Sequence, residues 1–358
     1  MAGIIQSVAI PIRDTANDEN VQRRFAPRNS PLAPLCDDQL AAFCKAGGRP
    51  LPPEQWRREH ADAHLLAVGW QEQAPARCSV WWRCVPAHPT ERLGIIGHYA
   101  ANNDAAAAAV LEHALTVLGK HGCTYAVGPM DGSTFRAYRL VTAQAVDGPV
   151  RPPYFLEPDT PAAWVDHFAQ AGFAPVAHYV SSLAPLRPDE RLPGLRARAA
   201  QAGIILRPID LTCLETELRR LYAVVTASFQ HNFLYSPIEE AEFLAHYAAA
   251  RSFTRPELVW IAEQEGKAIG FVFAYPDLAQ QQRGEPIDTM IIKTLAVTPD
   301  MGGLGLGSLL AAEVQQAALE LGYTQAIHAL MISDNRSRRI SEHYSRVMRT
   351  YALYGRQV

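Results

Sequence analysis

The sequence predicts an α/β protein made of two similar halves, each a mixed, mostly antiparallel, twisted sheet flanked by helices. Three observations lead there. The chain has 358 residues, which suits two domains better than one. Short apolar runs that read as strands alternate with stretches of helical period in both halves. The order of these elements recurs, and the long helix of each half stops at a glycine, Gly122 and Gly322, 200 residues apart.

In the first half, residues 7–12 form a strand and helical material runs to about residue 62. Strands follow at 64–70, 78–85 and 93–99. An alanine-rich helix spans 105–121, a strand 125–128, a helix 164–171 and a strand 177–183. Residues 185–193 are proline-rich and charged and read as a connector, completed by a short helix over 194–203. The expected division is therefore 1–187, a linker over 188–203, and 204–358. In the second half, residues 204–210 form a strand, and apolar spacing makes 211–233 a helix. A second helix, 237–251, opens with Glu239, Glu240 and Glu242. Strands at 257–263 and 268–275 meet at the turn residue Gly266. The apolar run 290–297 is a buried strand, 309–321 a helix, 326–332 a strand, 337–344 a helix and 349–354 a last strand.

Composition narrows the function. Apolar residues make up 48% of the chain, enough for sizeable cores. A net charge of −3 gives no footprint for duplex DNA. Six cysteines lie scattered without metal-ligand spacing, so buried free thiols are expected and no metal site. The N-terminus lacks the pattern of a signal peptide, and no run reaches the length of a membrane span. A cytoplasmic protein, monomer or homodimer, without DNA or membrane partners, is the expectation.

The most informative stretch joins the strand 290–297 to the helix 309–321. It reads Gly302-Gly303-Leu304-Gly305-Leu306-Gly307-Ser308. Side chains are absent where a backbone must turn its N–H groups inward, and the helix start adds unpaired N–H groups and partial positive charge. Such a loop cradles a phosphate or pyrophosphate. No lysine follows the glycines, so it is not a Walker loop, and about four strands precede it, unlike a dinucleotide fold. The 200-residue offset places Asn102, Ala105 and Ala107 on Gly302, Gly305 and Gly307. The first half keeps the frame but lacks the glycines.

Strand, loop and helix start together resemble the GNAT superfamily of N-acetyltransferases, whose pattern after the fourth strand is Arg/Gln-x-x-Gly-x-Gly/Ala. The resemblance covers residues 204–358 well and 1–187 through element order, as a tandem pair with a degenerate first copy. Gly302 departs from it, standing where the family has Arg or Gln. Few residues follow Tyr344, so a closing strand is either absent or supplied by the other half. The resemblance implies acyl transfer from acetyl-CoA or another acyl-CoA to the amine of a small molecule. It implies that the diphosphate lies on N–H groups of residues 303–308. The pantetheine runs beside Leu295, Ala296 and Val297, with the Val297 N–H on the thioester carbonyl. Asn335 either orients the pantetheine or caps the next helix. Tyr344 is either the proton donor to the thiolate or a packing residue.

No base stands out. By strand alternation Lys293 shares a face with Leu295 and Val297 and is a candidate for catalysis or for holding an anionic substrate. Glu239 opens a helix near the expected acceptor cleft, where its charge also suits the helix dipole. His231 and Tyr235 are candidate acceptor contacts from the preceding loop. In the first half, the cluster around Asp131 and Ser133 follows a strand and either caps a helix or lines a polar pocket. Two further readings stay open. One is an aminoacyl-tRNA-dependent transferase using Arg336, Arg338, Arg339, Arg346 and Arg349 as a basic groove; the other is a non-catalytic acyl-CoA-binding protein.

Overall fold

The computed structural model describes residues 6–11, 37–68, 75–333 and 345–358. These residues fall into two compact units. The first comprises residues 1–141, 160–177 and 352–358, and the second 142–159 and 178–351.

The first unit opens with β1 (Gln6–Pro11), α1 (Asp37–Lys45) and α2 (Pro53–Arg58). Then come β2 (Ala63–Val68), β3 (Ala76–Trp81), β4 (Leu93–Ala101), α3 (Asp104–Lys120) and β5 (Tyr125–Gly128). Strand β6 (Leu140–Ala143) lies at its border, and α4 (Ala163–Gln170) follows. Strands β1 to β4 pair antiparallel in order, and β4 pairs parallel with β5. Helix α3 starts where Asn103 accepts the Ala106 N–H at 2.9 Å and stops at Gly122, whose φ of 77° suits glycine. Its Val110, Leu111, Ala114 and Leu118 face Leu65, Cys78, Val80 and Ile96 in one core.

The second unit takes up the chain in β7 (Ala174–Pro185), followed by α5 (Leu192–Gln201), β8 (Ile204–Pro208), α6 (Leu214–Phe229) and α7 (Glu240–Ala248). It continues with β9 (Val259–Gln264), β10 (Lys267–Pro276), a short α8 (Leu278–Gln282) and β11 (Thr289–Val297). Helix α9 (Leu306–Glu320), β12 (Gln325–Ile332) and β13 (Arg346–Gln357) complete it. Strands β8 to β11 are antiparallel in order, and β11 pairs parallel with β12. One face of the sheet packs Val272, Ala274, Met290 and Ile292 against Leu309, Leu310 and Val314 of α9 and Leu195 of α5. On the other face, Tyr247 of α7 contacts Phe273 edge-on.

The mixed, mostly antiparallel sheets with flanking helices match the fold class expected. The closing strands come from distant sequence. The strand beside β12 is β7, which pairs through Gln325↔Pro185 to Ile332↔Tyr179. The strand beside β5 is the end of β13, through Tyr354↔Gly128 to Gln357↔Tyr125. One expectation fails: no helix follows β5. Residues 129–139 form turns, and Ser133 Oγ accepts the N–H of Phe135 at 3.2 Å in a local turn rather than capping a helix.

Candidate functional site

In the second unit the parallel ladder of β11 and β12 ends at Ile292↔His328. Beyond that point β11 stays with β10 as far as Val297↔Gly270, and β12 stays with β7. Each strand has a register shift where they part. On β11, Ile292 pairs with Ala274 and Thr294 with Phe273, so Lys293 is the extra residue of a bulge. On β12 the shift lies between His328 and Met331, and Leu330 has a φ of 57°. A gap therefore opens between two strands that are otherwise buried in one sheet. Thr298 donates its N–H to Ile269 on the β10 side. Successive N–H groups of a strand point to opposite sides, so the Val297 N–H points into the gap.

Lys293 stands at this bulge. Alternation is broken there, and Leu295 and Val297 pack toward the α9 core while Thr294 bonds Tyr247 on the opposite face. Lys293 is exposed at the bulge.

The glycine loop leaves the end of β11. Gly303 has φ 92° and Gly305 φ 72°, conformations that side chains disfavour. Gly305 is the N-cap of α9 and supplies no side-chain cap, so the first N–H groups of the helix are left for another partner. A Cβ on Gly303 would meet nothing within 4 Å, which leaves room above the loop. Helix α5 borders the loop. Its Arg196 makes a bidentate pair with the buried Glu313 of α9, at 2.6 and 2.7 Å. Two residues on, Arg198 Nη2 lies 3.9 Å from the position a Gly305 Cβ would take.

The same region of the first unit is closed. Only Asn102 and Asn103 join β4 to α3, whereas residues 298–305 join β11 to α9. The offset of 200 holds for the helix ends and for the strands after them, β5 and β12, but not for β4 and β11 before them, since Leu93↔Tyr125 opens one parallel ladder and Thr289↔Gln325 the other. The first half therefore lacks the loop as well as its glycines. Beyond Ile95↔Val127 the chain fills its own gap: Met130 donates to the Ile96 carbonyl at 2.8 Å, and Asp131 accepts the His98 N–H at 2.5 Å. Buried Asp131 belongs to this plug. His98 continues it, bonding Glu59 through Nε2 and Ser79 through Nδ1 at 2.8 Å, and Ser79 bonds His64 at 2.7 Å. Burial pushes the Asp131 carboxyl up and holds His64 down at about 3. Glu59, His98 and Asp131 bring their ligand atoms within 4.8 Å of one another, the only such group among the described residues; the ring of His98 already bonds both Glu59 and Ser79.

Residues 218–341 match the profile of the Acetyltransferase (GNAT) family. The second half of the chain carries a GNAT domain. A bacterial ceramide synthase from Caulobacter vibrioides (strain NA1000 / CB15N) is similar, 25% identical over 279 residues. That match covers 76% of this chain and 66% of that protein. Two solved structures share the fold. One is the glucosamine N-acetyltransferase region of a fungal multi-domain GH3 β-N-acetylglucosaminidase, with TM-score 0.53 and 15% identity, covering 90% of this chain and 35% of that one. The other is a probable N-acyltransferase from Enterococcus faecalis V583, with TM-score 0.52 and 11% identity, covering 90% and 71%.

Within the GNAT domain, Leu295, Ala296 and Val297 end the strand at the gap, and residues 302–308 form the loop and helix start. Glu239 is the exposed N-cap of α7, His231 is exposed between α6 and α7, and Tyr235 is half-buried in the same connection. Asn335 and Tyr344 lie outside the described residues, as do Arg336, Arg338 and Arg339. Arg349 is only 2% exposed and ion-paired with Glu157, so it offers no charge to a surface groove.

Two groups in the second unit carry no local signal in the sequence. Phe155, Phe253, Phe273 and Tyr275 form an aromatic wall on the face opposite α9, with Phe155 edge-on to Phe253 at 5.2 Å. A buried network links Glu157, Arg349, Tyr351, Ser181 and Tyr154. Their members come from three distant segments, so no local spacing announces them.

Proposed function

We propose that the GNAT domain transfers an acyl group from an acyl-CoA thioester to the amine of a small acceptor with an apolar body. One observation carries this reading: the gap between β11 and β12 and the open glycine loop lie at the end of the same strand. A pantetheine arm entering the gap pairs with free backbone groups of β11 as an added strand does. Its diphosphate then meets the N–H groups of residues 303–308 and the guanidinium of Arg198, which stands in for the Arg or Gln absent at Gly302.

The reaction forms one C–N bond and breaks one C–S bond. The amine nitrogen attacks the thioester carbonyl, and the Val297 N–H stabilises the oxygen as it gains charge. The amine gives up a proton and the thiolate takes one, leaving an amide and free coenzyme A. Tyr344 remains the candidate proton donor to the thiolate. His231, Tyr235, Glu239 and Lys293 are candidate acceptor contacts.

The similar protein is named a ceramide synthase, and ceramide is an N-acylated long-chain amino alcohol. The test measures thiol release and amide mass with acetyl-CoA and a long-chain acyl-CoA. Long-chain amino alcohols are compared with short polar amines. Amide formation with the long-chain acceptors is expected. Thiol release without any amide, or no release with any pair, overturns the reading.

A further inference from the structure

We propose that Glu157 takes the proton of the acceptor amine, working through the hydroxyls of Tyr351 and Ser181 as a positioned proton acceptor. The inference rests on the acyl-transfer reading and supplies the base that the sequence does not name.

The geometry starts at the gap. Ser181 lies on β7 opposite the bulge of β12, and its Oγ accepts the N–H of Leu330 at 3.1 Å. Leu330 is the positive-φ residue at which β12 departs from β11. Ser181 shares its face with Leu183, which pairs with Ile327, which pairs in turn with Ile291 and so with Tyr275. Ser181 therefore stands on the aromatic face, one strand from the gap.

From Ser181 the hydrogen bonds run inward. The Tyr351 hydroxyl lies 3.0 Å from Ser181 Oγ and also bonds Glu157. Tyr351 has a single O–H, and the carboxylate, which can only accept, takes it. Ser181 must then donate to the Tyr351 oxygen. The Tyr154 hydroxyl, 2.9 Å from Ser181, donates to Ser181 in turn. All three hydroxyl protons point toward Glu157. A proton arriving at the Tyr154 hydroxyl shifts each one by one bond, and the last reaches the carboxylate. The amine nitrogen keeps its electron pair for the thioester carbon, and Glu157 later returns the proton to water.

The surroundings keep Glu157 ready for this. Its side chain is fully buried. Facing it are Arg349 and Tyr351 from β13 and the Tyr154 N–H at 3.1 Å from its own loop, with Ser181 of β7 behind Tyr351. Burial raises the carboxyl to about 7, outweighing the opposing pull of Tyr351 and Arg349. Arg349 divides its charge, since its Nη2 donates to the Arg151 carbonyl at 2.5 Å. A base near neutrality is suited to an amine that arrives protonated. Beside the relay, Tyr154 borders a cavity of 150 Å³.

The experiment is the pH profile of kcat/KM for amide formation by the full chain, with coenzyme A affinity and melting temperature measured for every variant. Wild type should show an acidic limb with a midpoint near 7. Glu157→Gln should lose that limb and slow by about 10²- to 10⁴-fold with coenzyme affinity unchanged. Tyr351→Phe keeps the ring, so it serves if Glu157→Gln does not fold; it should slow the reaction without loss of coenzyme binding. Glu157→Asp should restore part of the rate with a displaced limb. A Glu157→Gln or Tyr351→Phe enzyme with the wild-type rate and limb overturns the proposal and leaves acyl transfer standing. A wild type that binds coenzyme A but forms no amide overturns both.

Discussion

Replacing Gly305 by alanine and by glutamate separates the backbone demand of the loop from its charge. Gly305 has φ 72°, so any side chain costs about 1–2 kcal/mol for the left-handed backbone. Space adds little. An added Cβ meets Leu195 Cδ2 at 3.6 Å and Arg198 Nη2 at 3.9 Å, both ordinary contacts. Gly305→Ala should therefore lower the melting temperature by roughly 2–8 °C for a unit of this size. Gly305→Glu carries the same backbone cost but regains about 0.3–1 kcal/mol from a carboxylate at the start of α9. It should melt no lower than the alanine variant. Coenzyme binding should divide the two. A carboxylate about 4 Å from a phosphate charge is repelled by about 1 kcal/mol in water and about 4 kcal/mol at the partly shielded loop. That corresponds to roughly a fivefold to a thousandfold loss of affinity. Calorimetric titration with coenzyme A at physiological salt, beside thermal melts, reads both effects. If Gly305→Glu binds within threefold of Gly305→Ala, the loop does not hold the diphosphate.

Three further outcomes are expected. Gly97→Ala would place a Cβ 2.0 Å from the Met130 carbonyl in the plugged gap, so the first unit should lose about 3 kcal/mol or more in chemical denaturation; a loss under about 1 kcal/mol would show the gap to be open. Arg196→Ala leaves Glu313, 3% exposed, without its partner. Because Arg196 itself is half exposed, the loss should be about 1–3 kcal/mol, below that of a fully buried pair, and coenzyme affinity should fall as α5 and Arg198 loosen; unchanged affinity would remove Arg198 from the site.

The third outcome concerns pH. Burial holds His328 down at about 4, so the unfolded chain binds its proton first, and stability falls as pH drops from 6.5 to 4, by up to about 3 kcal/mol. Glu157 has the opposite sign: raised to about 7 from 4.5, it binds its proton first in the folded state, so stability rises as pH falls through that window. His328→Gln should therefore flatten the acid limb of the stability profile and Glu157→Gln should steepen it. Denaturant titrations from pH 7.5 to 4 that show neither change would contradict both assignments.

Local signals in the chain were enough for the fold class and the loop. The strand ending at Val297, the glycines at 302, 303, 305 and 307 and the helix after them stand as expected, because φ preference, capping and apolar period act over a few residues. Lys293 shows the limit of that reading. Alternation puts it beside Leu295 and Val297, and no local signal marks it as the extra residue of a bulge. The same limit applies to Asp131 and Ser133, whose glycine-rich neighbourhood suggested a helix start. In the fold, Asp131 instead caps the His98 N–H inside a filled gap.

By itself, the sequence determined two repeated sheet frames and one glycine loop able to receive an anion. Tertiary structure alone decided that the second gap opens while the first is plugged, since that depends on where two parallel ladders stop and what chain follows them. It also decided that β7 and β13 close sheets far from their sequence neighbours, and that Glu157 is buried among Tyr351, Arg349 and Tyr154. Propensity and period are carried by adjacent residues. Register, burial and the proton affinity of a carboxylate are set by residues nearly two hundred positions away.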